Sequence, residues 1–230
     1  MKNLIKRLET IAHEIDSNPH LRLSCFEYNS PLTLKNIQQF VEAEFEIELS
    51  NSFKEIFTNV NGFKLEWEVI SKPDGTPIDE ELEVTGRICI HDLYTIFEGP
   101  DGEEWKNIIW TEDMPSNEKE EMKSFKSFDF FDPDDGGHVC LVLREGKLEN
   151  HLILKSTDYG IKYLEIDPIS YLNTALYSRG YYRWQFFVSP ITELYGFQIK
   201  LEQMRSHLST YFPDCSLEWI KDSDLGNQSM

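Results

Sequence analysis

Four small groups of side chains in this 230-residue sequence have types and spacings that chemistry can use. Glu66 and Glu68 stand two apart in "FKLEWEV". On a strand they would share a face about 7 Å apart, loosely within the range of paired glycosidase carboxylates. Such pairs ordinarily face each other across a cleft from different elements, and a solvated strand face explains these two equally well. Cys89-x-His91 and His138-x-Cys140 are the second and third groups. On facing strands the two pairs would offer zinc a set of nitrogen and sulfur ligands. Their spacing is not that of a zinc finger or ribbon, and cysteine also fits an apolar strand as a small hydrophobe. The fourth group, "DFFDPDDGGH" from Asp129 to His138, has the acids and glycines of a calcium loop. It lacks the alternating acidic register and the closing glutamate, so it reads as a tight acidic turn.

No G-x-S-x-G, Gly-rich phosphate loop or H-E-x-x-H occurs. The expectation is therefore a non-enzymatic protein with no catalytic residues, no cofactor and no metal. Charge is the strongest bulk signal. The net value is −19, and residues 66–135 hold 6 basic and 21 acidic residues, a net −15. Charge so concentrated repels nucleic acid and favours a basic partner. Trp105 and Trp110 stand inside this stretch, in "EEWKNIIWTED". Trp110 reads as an anchor for a long loop; Trp105 reads either as an anchor or as an aromatic contact ringed by acids.

The elements that position these groups follow from periodicity. Leu4, Ile5, Leu8, Ile11, Ala12 and Ile15 trace one helical face. "LRLSCFEY" is a short strand. Thr33 and Ser50 begin two further helices as caps, the first carrying Leu34 to Phe45 and the second Phe53 to Val60. Gly62 is expected to supply the left-handed cap of the latter, after which Phe63 to Ile70 alternate as a half-buried strand. "RICIHDL" is a strand, Asp92 caps a short turn "LYTIF", and "NIIW" is a further apolar piece. "TEDMPSNEKEEMKSFKS" reads as loop or loose helix. "HVCLVL" suits a central strand covered on both faces, "EGKLEN" turns the chain, and "HLILKS" and "IKYLEI" are strands. Asp167-Pro168 opens a helix, "YYRWQFFV" reads as extended, and Ser189-Pro190 opens a last helix through Leu208. Helices, then antiparallel strands, then helices make an α+β fold, with helices packed on a twisted antiparallel sheet. No run reaches the roughly 18 apolar residues of a membrane span. The N-terminus reads as a helix rather than a signal peptide, and four scattered cysteines suit a reducing cytoplasm.

One long stretch, "LTLKNIQQFVEAEFEIELSNSFKEIFTNVNGFKLEWEV", resembles the signature of the SUKH superfamily, in its branch named for a fungal glucan-synthesis regulator. The match is a helix ending in an aliphatic pair, an aromatic-basic helix start, an N-G turn and a strand; Ser50 stands where the family often has Pro. "RICIHDLYTIF", "FDFFDPDDGGHVCLVL", "LILKSTDYGIKYLEID" and "DPISYLNTAL" resemble the rest of the domain. The resemblance spans about residues 30–180 and carries no catalytic motif. It implies a single SUKH-like domain over residues 1–230, with an N-terminal helix and an added C-terminal helix. It also implies a cytoplasmic immunity protein that neutralises a polymorphic toxin, often a nuclease; the fungal relatives imply instead a regulatory scaffold. With the acidic charge, the expected partner is a basic, nuclease-like protein toxin, with no nucleic acid and no membrane. The expected contacts are Glu66, Glu68, Glu103, Glu104, Trp105, Asp132, Asp134 and Asp135.

Overall fold

The computed structural model describes residues 3–78, 84–99, 121–134, 136–156, 160–189 and 197–218. Helix α1 (Leu4–Ser17) buries Leu4, Leu8, Ile11, Ala12 and Ile15, the stripe its 3.6-residue period lays along one side. Strand β1 (Leu21–Tyr28) follows. Thr33 caps α2 (Leu34–Ile37) by accepting the Asn36 N–H. The helix then widens into a π-helical stretch, Gln38–Glu44, where the sequence predicts one regular helix to Phe45. Ser50 caps α3 (Asn51–Phe57) through the Phe53 N–H.

Helix α3 ends at Phe57 with Thr58 as its cap, so Gly62 is not the helix cap that the sequence suggests. It serves the next junction. Gly62 has φ +83°, and a Cβ there would meet the Asp92 backbone nitrogen at 2.5 Å. Its carbonyl accepts the Asn29 N–H, and Asn61 Oδ1 accepts the Leu93 N–H. The Asn-Gly pair thus clamps the end of β1 to the start of α4 (Leu93–Glu98), which Asp92 caps through the Thr95 N–H.

Strands β2 (Phe63–Val69), β3 (Thr85–Ile90), β4 (Phe125–Asp132), β5 (Gly137–Arg144), β6 (Lys147–Ser156) and β7 (Gly160–Leu164) continue the sheet. The seven described strands pair antiparallel in chain order from β1 to β7. Strand β4 covers residues that the sequence reads partly as loop. Glu145 and Gly146, with φ of 51° and 72°, join β5 to β6, the conformation favoured in tight hairpins. Asp167 caps α5 (Pro168–Tyr177) through the Ile169 and Ser170 N–H groups. Trp184–Val188 form a 3-10 turn rather than an extended piece. Helix α6 (Phe197–Tyr211) brings Leu201, Met204 and Leu208 inward.

The protein is therefore α+β. Residues from all six described α-helices join Leu65, Trp67, Ile88, Val139, Leu141, Leu152 and Leu154 in one buried core. Met122, Phe125, Cys140, Val142 and Ile153 form a second, smaller cluster. Alternation along β5 sends Val139 and Leu141 to the first cluster and Cys140 and Val142 to the second, so this strand is buried on both faces. Among the described residues no helix is long and apolar enough to cross a membrane.

A carboxylate sits inside the main core. Register slips between Ser127 and Asp129 on β4, and this bulge lets both Phe128 and Asp129 reach Tyr171 on α5. Asp129 is fully buried. Its oxygens accept the Cys89 N–H at 2.9 Å, the Tyr171 hydroxyl at 2.6 Å and the Gln185 amide at 3.4 Å. Burial raises the Asp129 pKa; the three hydrogen bonds pull the other way without cancelling it. Tyr171 is pushed far up by its own burial and by the adjacent acid, so it remains the donor.

Two outcomes follow from these contacts. Gly62→Ala, which strains a positive φ and meets backbone, should lower the free energy of unfolding in urea by at least about 2 kcal/mol. For Asp129, the unfolded carboxyl ionises near 3.8 while the folded one ionises higher. Between those values the native state keeps a proton that the unfolded state has lost. Stability therefore falls as pH rises through the window and stays lower above it. Asp129→Asn keeps an acceptor for Cys89 but sets an amide N–H against the Tyr171 and Gln185 donors, a cost that does not vary with pH. Its stability relative to wild type should grow as pH rises from about 4 toward neutrality, read by denaturation at a series of pH values; a constant difference would contradict the desolvation account.

Candidate functional site

Of the expected contacts, Glu103, Glu104, Trp105 and Asp135 lie outside the described residues, as does Trp110. Glu66 and Glu68 alternate with the core residues Leu65 and Trp67, so they project from the side of β2 away from the helices. Neither stands there as free negative charge. Glu68 pairs with Arg22 on β1 at 2.7 Å. Glu66 pairs with Lys64 at 3.1 Å and with Arg87, directly opposite it on β3. Two acids thus share three bases in one stripe across three strands. Each exposed pair contributes only about 0.2–1 kcal/mol, but together they neutralise the stripe.

Asp132 corrects the expectation more sharply. It is 1% exposed, because β4 turns its side chain under the 3-10 turn and not outward. Arg183 Nε donates to its Oδ2 at 2.7 Å, and the Tyr182 hydroxyl lies 3.4 Å away. Arg183 itself has φ 59°, a conformation unusual for arginine. A buried acid held this way fastens β4 to the chain after α5 and offers nothing to a partner. Asp134, in the turn after β4, is exposed. The structure thus brings Glu66 and Glu68 together in the stripe and separates Asp132 and Asp134 by burial.

Beyond Arg87 the same side of the sheet becomes apolar. Arg87 Nε donates to the Phe130 carbonyl at 2.9 Å, and its guanidinium lies 5.6 Å from the Phe130 ring centroid. Phe130 stacks on His138 at 4.5 Å with 14° between planes, and Ser127 Oγ lies 2.6 Å from His138 Nδ1. A serine beside an imidazole has the outline of a nucleophile and its base. Here both are buried, and burial drives the His138 pKa down to about 3 and that of His91 to about 4, with repulsion between the two imidazoles adding to the shift at His138. An imidazole with so little affinity for a proton is a poor general base at neutral pH. Burial also raises the thiols of Cys89 to about 11 and Cys140 to about 12, which disfavours the thiolate needed for attack or metal ligation. Among the described residues no three His, Cys, Asp or Glu side chains converge as a metal site requires. The four cysteines are free; Cys140 is buried and the other three are half-buried.

The Asp129 network and the Ser127–His138 contact escape a reading by motif. One signal for Asp129 is present in the sequence: a lone acid inside the aromatic run "FDFF" has no reason to be there unless it is satisfied in the core. His138 carries a pH dependence of opposite sign to that of Asp129. Its unfolded imidazole takes up a proton near 6.5, whereas the folded one resists until about 3. Stability should therefore fall as pH drops below 6.5. His138→Gln should flatten this acid limb while leaving the share due to His91; superimposable acid-unfolding curves would show that His138 is not desolvated.

No family model, curated protein or solved structure significantly matches the chain.

Proposed function

We propose that this chain is a non-enzymatic immunity protein of the cytoplasm that binds and neutralises a polymorphic toxin with a basic, nuclease-like surface. The observation that carries the reading is the charge: −19 overall, with −15 gathered in residues 66–135. A nuclease must hold phosphates, so it presents lysine and arginine at its active face. A strongly acidic protein competes for that face and is drawn to it by long-range attraction, which raises association rates more than it deepens affinity. The SUKH-like pattern over residues 30–180 points the same way. The buried, weakly basic Ser127–His138 pair fits a protein that acts by covering rather than by catalysis.

The test is to co-express the chain with the protein encoded beside its gene and to purify them together. A stable complex that suppresses the neighbour's toxicity is expected. Its association rate should fall steeply with salt. Replacing Glu103, Glu104, Asp134 and Asp135 by Lys should slow association by at least about ten-fold at low salt and flatten that dependence. Absence of any complex with the neighbouring product would overturn the proposal.

A further inference from the structure

Where Glu66, Glu68 and Asp132 are each matched by a base, another group of acids is not. Glu44, Glu46 and Glu48 are exposed and Glu98 is half-exposed. None of the four forms an ion pair among the described residues. Glu42 does, with Lys54 at 2.5 Å. Glu44 and Glu46 flank Phe45 in the chain, and Phe45 belongs to a row of aromatic rings. Tyr94 lies 3.9 Å from Phe40, centroid to centroid; Phe40 lies 5.2 Å from Phe45, and Phe45 lies 5.7 Å from Phe97. Phe40 and Phe97 are buried, while Tyr94, at the outer end of the row, is 54% exposed. Glu98 is one helical turn beyond Tyr94 on α4, on the same side.

The backbone that presents this patch is hydrogen-bonded to its surroundings. The π-helical stretch Gln38–Glu44 carries Phe40, and π-helical segments recur at functional sites. The chain then turns at Glu46, with φ 56°, and is tied to the β5–β6 hairpin by the Glu48 N–H donating to the Gly146 carbonyl at 3.2 Å. A tyrosine already packed against a buried ring loses little freedom on binding, and such aromatics are the side chains that dominate protein interfaces. Its ring face also attracts arginine and lysine.

Resting on the immunity reading, we infer that the toxin docks on this patch, a basic protein surface seating an apolar or arginine side chain against Tyr94 while its lysines and arginines meet Glu44, Glu46, Glu48 and Glu98. Charge complementarity selects that occupant: four carboxylates that form no ion pair among the described residues would repel an acidic surface or a nucleic acid, even with Lys147 across a backbone bridge from Glu48. The site differs from the neutralised stripe on β2, although both lie on the same chain.

The experiment uses the full chain and the purified protein encoded beside its gene, inactivated if it is lethal, with the dissociation constant measured at low and moderate salt. Tyr94→Ala should weaken binding by about thirty-fold or more, and Tyr94→Phe should restore most of it. Glu44→Lys, Glu46→Lys and Glu48→Lys together should weaken binding and reduce its salt dependence. The same change of charge at Glu165, Asp214 and Glu218, exposed positions outside the patch, should alter it by less than about three-fold. All these side chains are at least half-exposed or lie on the surface, and melting temperatures confirm folding of each variant. If wild type binds and the patch variants bind equally well, the toxin docks elsewhere and only this inference falls. If wild type does not bind the neighbouring product, the immunity reading falls and takes the inference with it.

Discussion

A carboxyl group enclosed by hydrocarbon must be hydrogen-bonded or neutral, and Asp129 is the point at which this fold meets that demand. Its acceptors are filled by the backbone of β3, the phenol of α5 and the amide of the 3-10 turn. Those donors come from three elements that are distant in the chain, so displacing any of them leaves the buried acid short of a donor. Leaving one such group unsatisfied costs about 1–3 kcal/mol, a large part of a typical net stability. The β4 bulge is what turns the acid inward. A β4 in regular register could not direct both Phe128 and Asp129 toward Tyr171, since neighbouring side chains on a strand alternate between faces.

The same economy explains how the protein can carry so much negative charge and still fold. Acids next to the sheet are matched locally: Glu68 by Arg22, Glu66 by Lys64 and Arg87, Asp132 by Arg183. Pairing across strands cancels the field where like charges would repel at short range. Glu44, Glu46 and Glu48, in and after the π-helical stretch, and Glu98 on α4 form no ion pair among the described residues. The pairing next to the sheet and the unpaired charge thus fall on different carboxylates.

The helix starts were readable because capping is local. Thr33, Ser50, Asp92 and Asp167 each accept an N–H two or three residues ahead, and a short side chain before an apolar run is all that this requires. The alternation of β2 and the doubly apolar β5 were readable for the same reason, since each face is set by a period of two. Strand β4 was not, because its bulge breaks the alternation; nor was the 3-10 turn at Trp184–Val188, whose aromatics also suit a strand. The arginines that pair with Glu66, Glu68 and Asp132 lie 21, 46 and 51 positions away, beyond any local pattern.

By itself, then, the sequence determined the α+β class, most element starts and the net charge, because these depend on composition and on neighbours within a few residues. Tertiary structure alone decided which carboxylates are buried, which are neutralised and which stand exposed. Burial and pairing depend on what the fold brings alongside a side chain, and the chain's linear order does not state that.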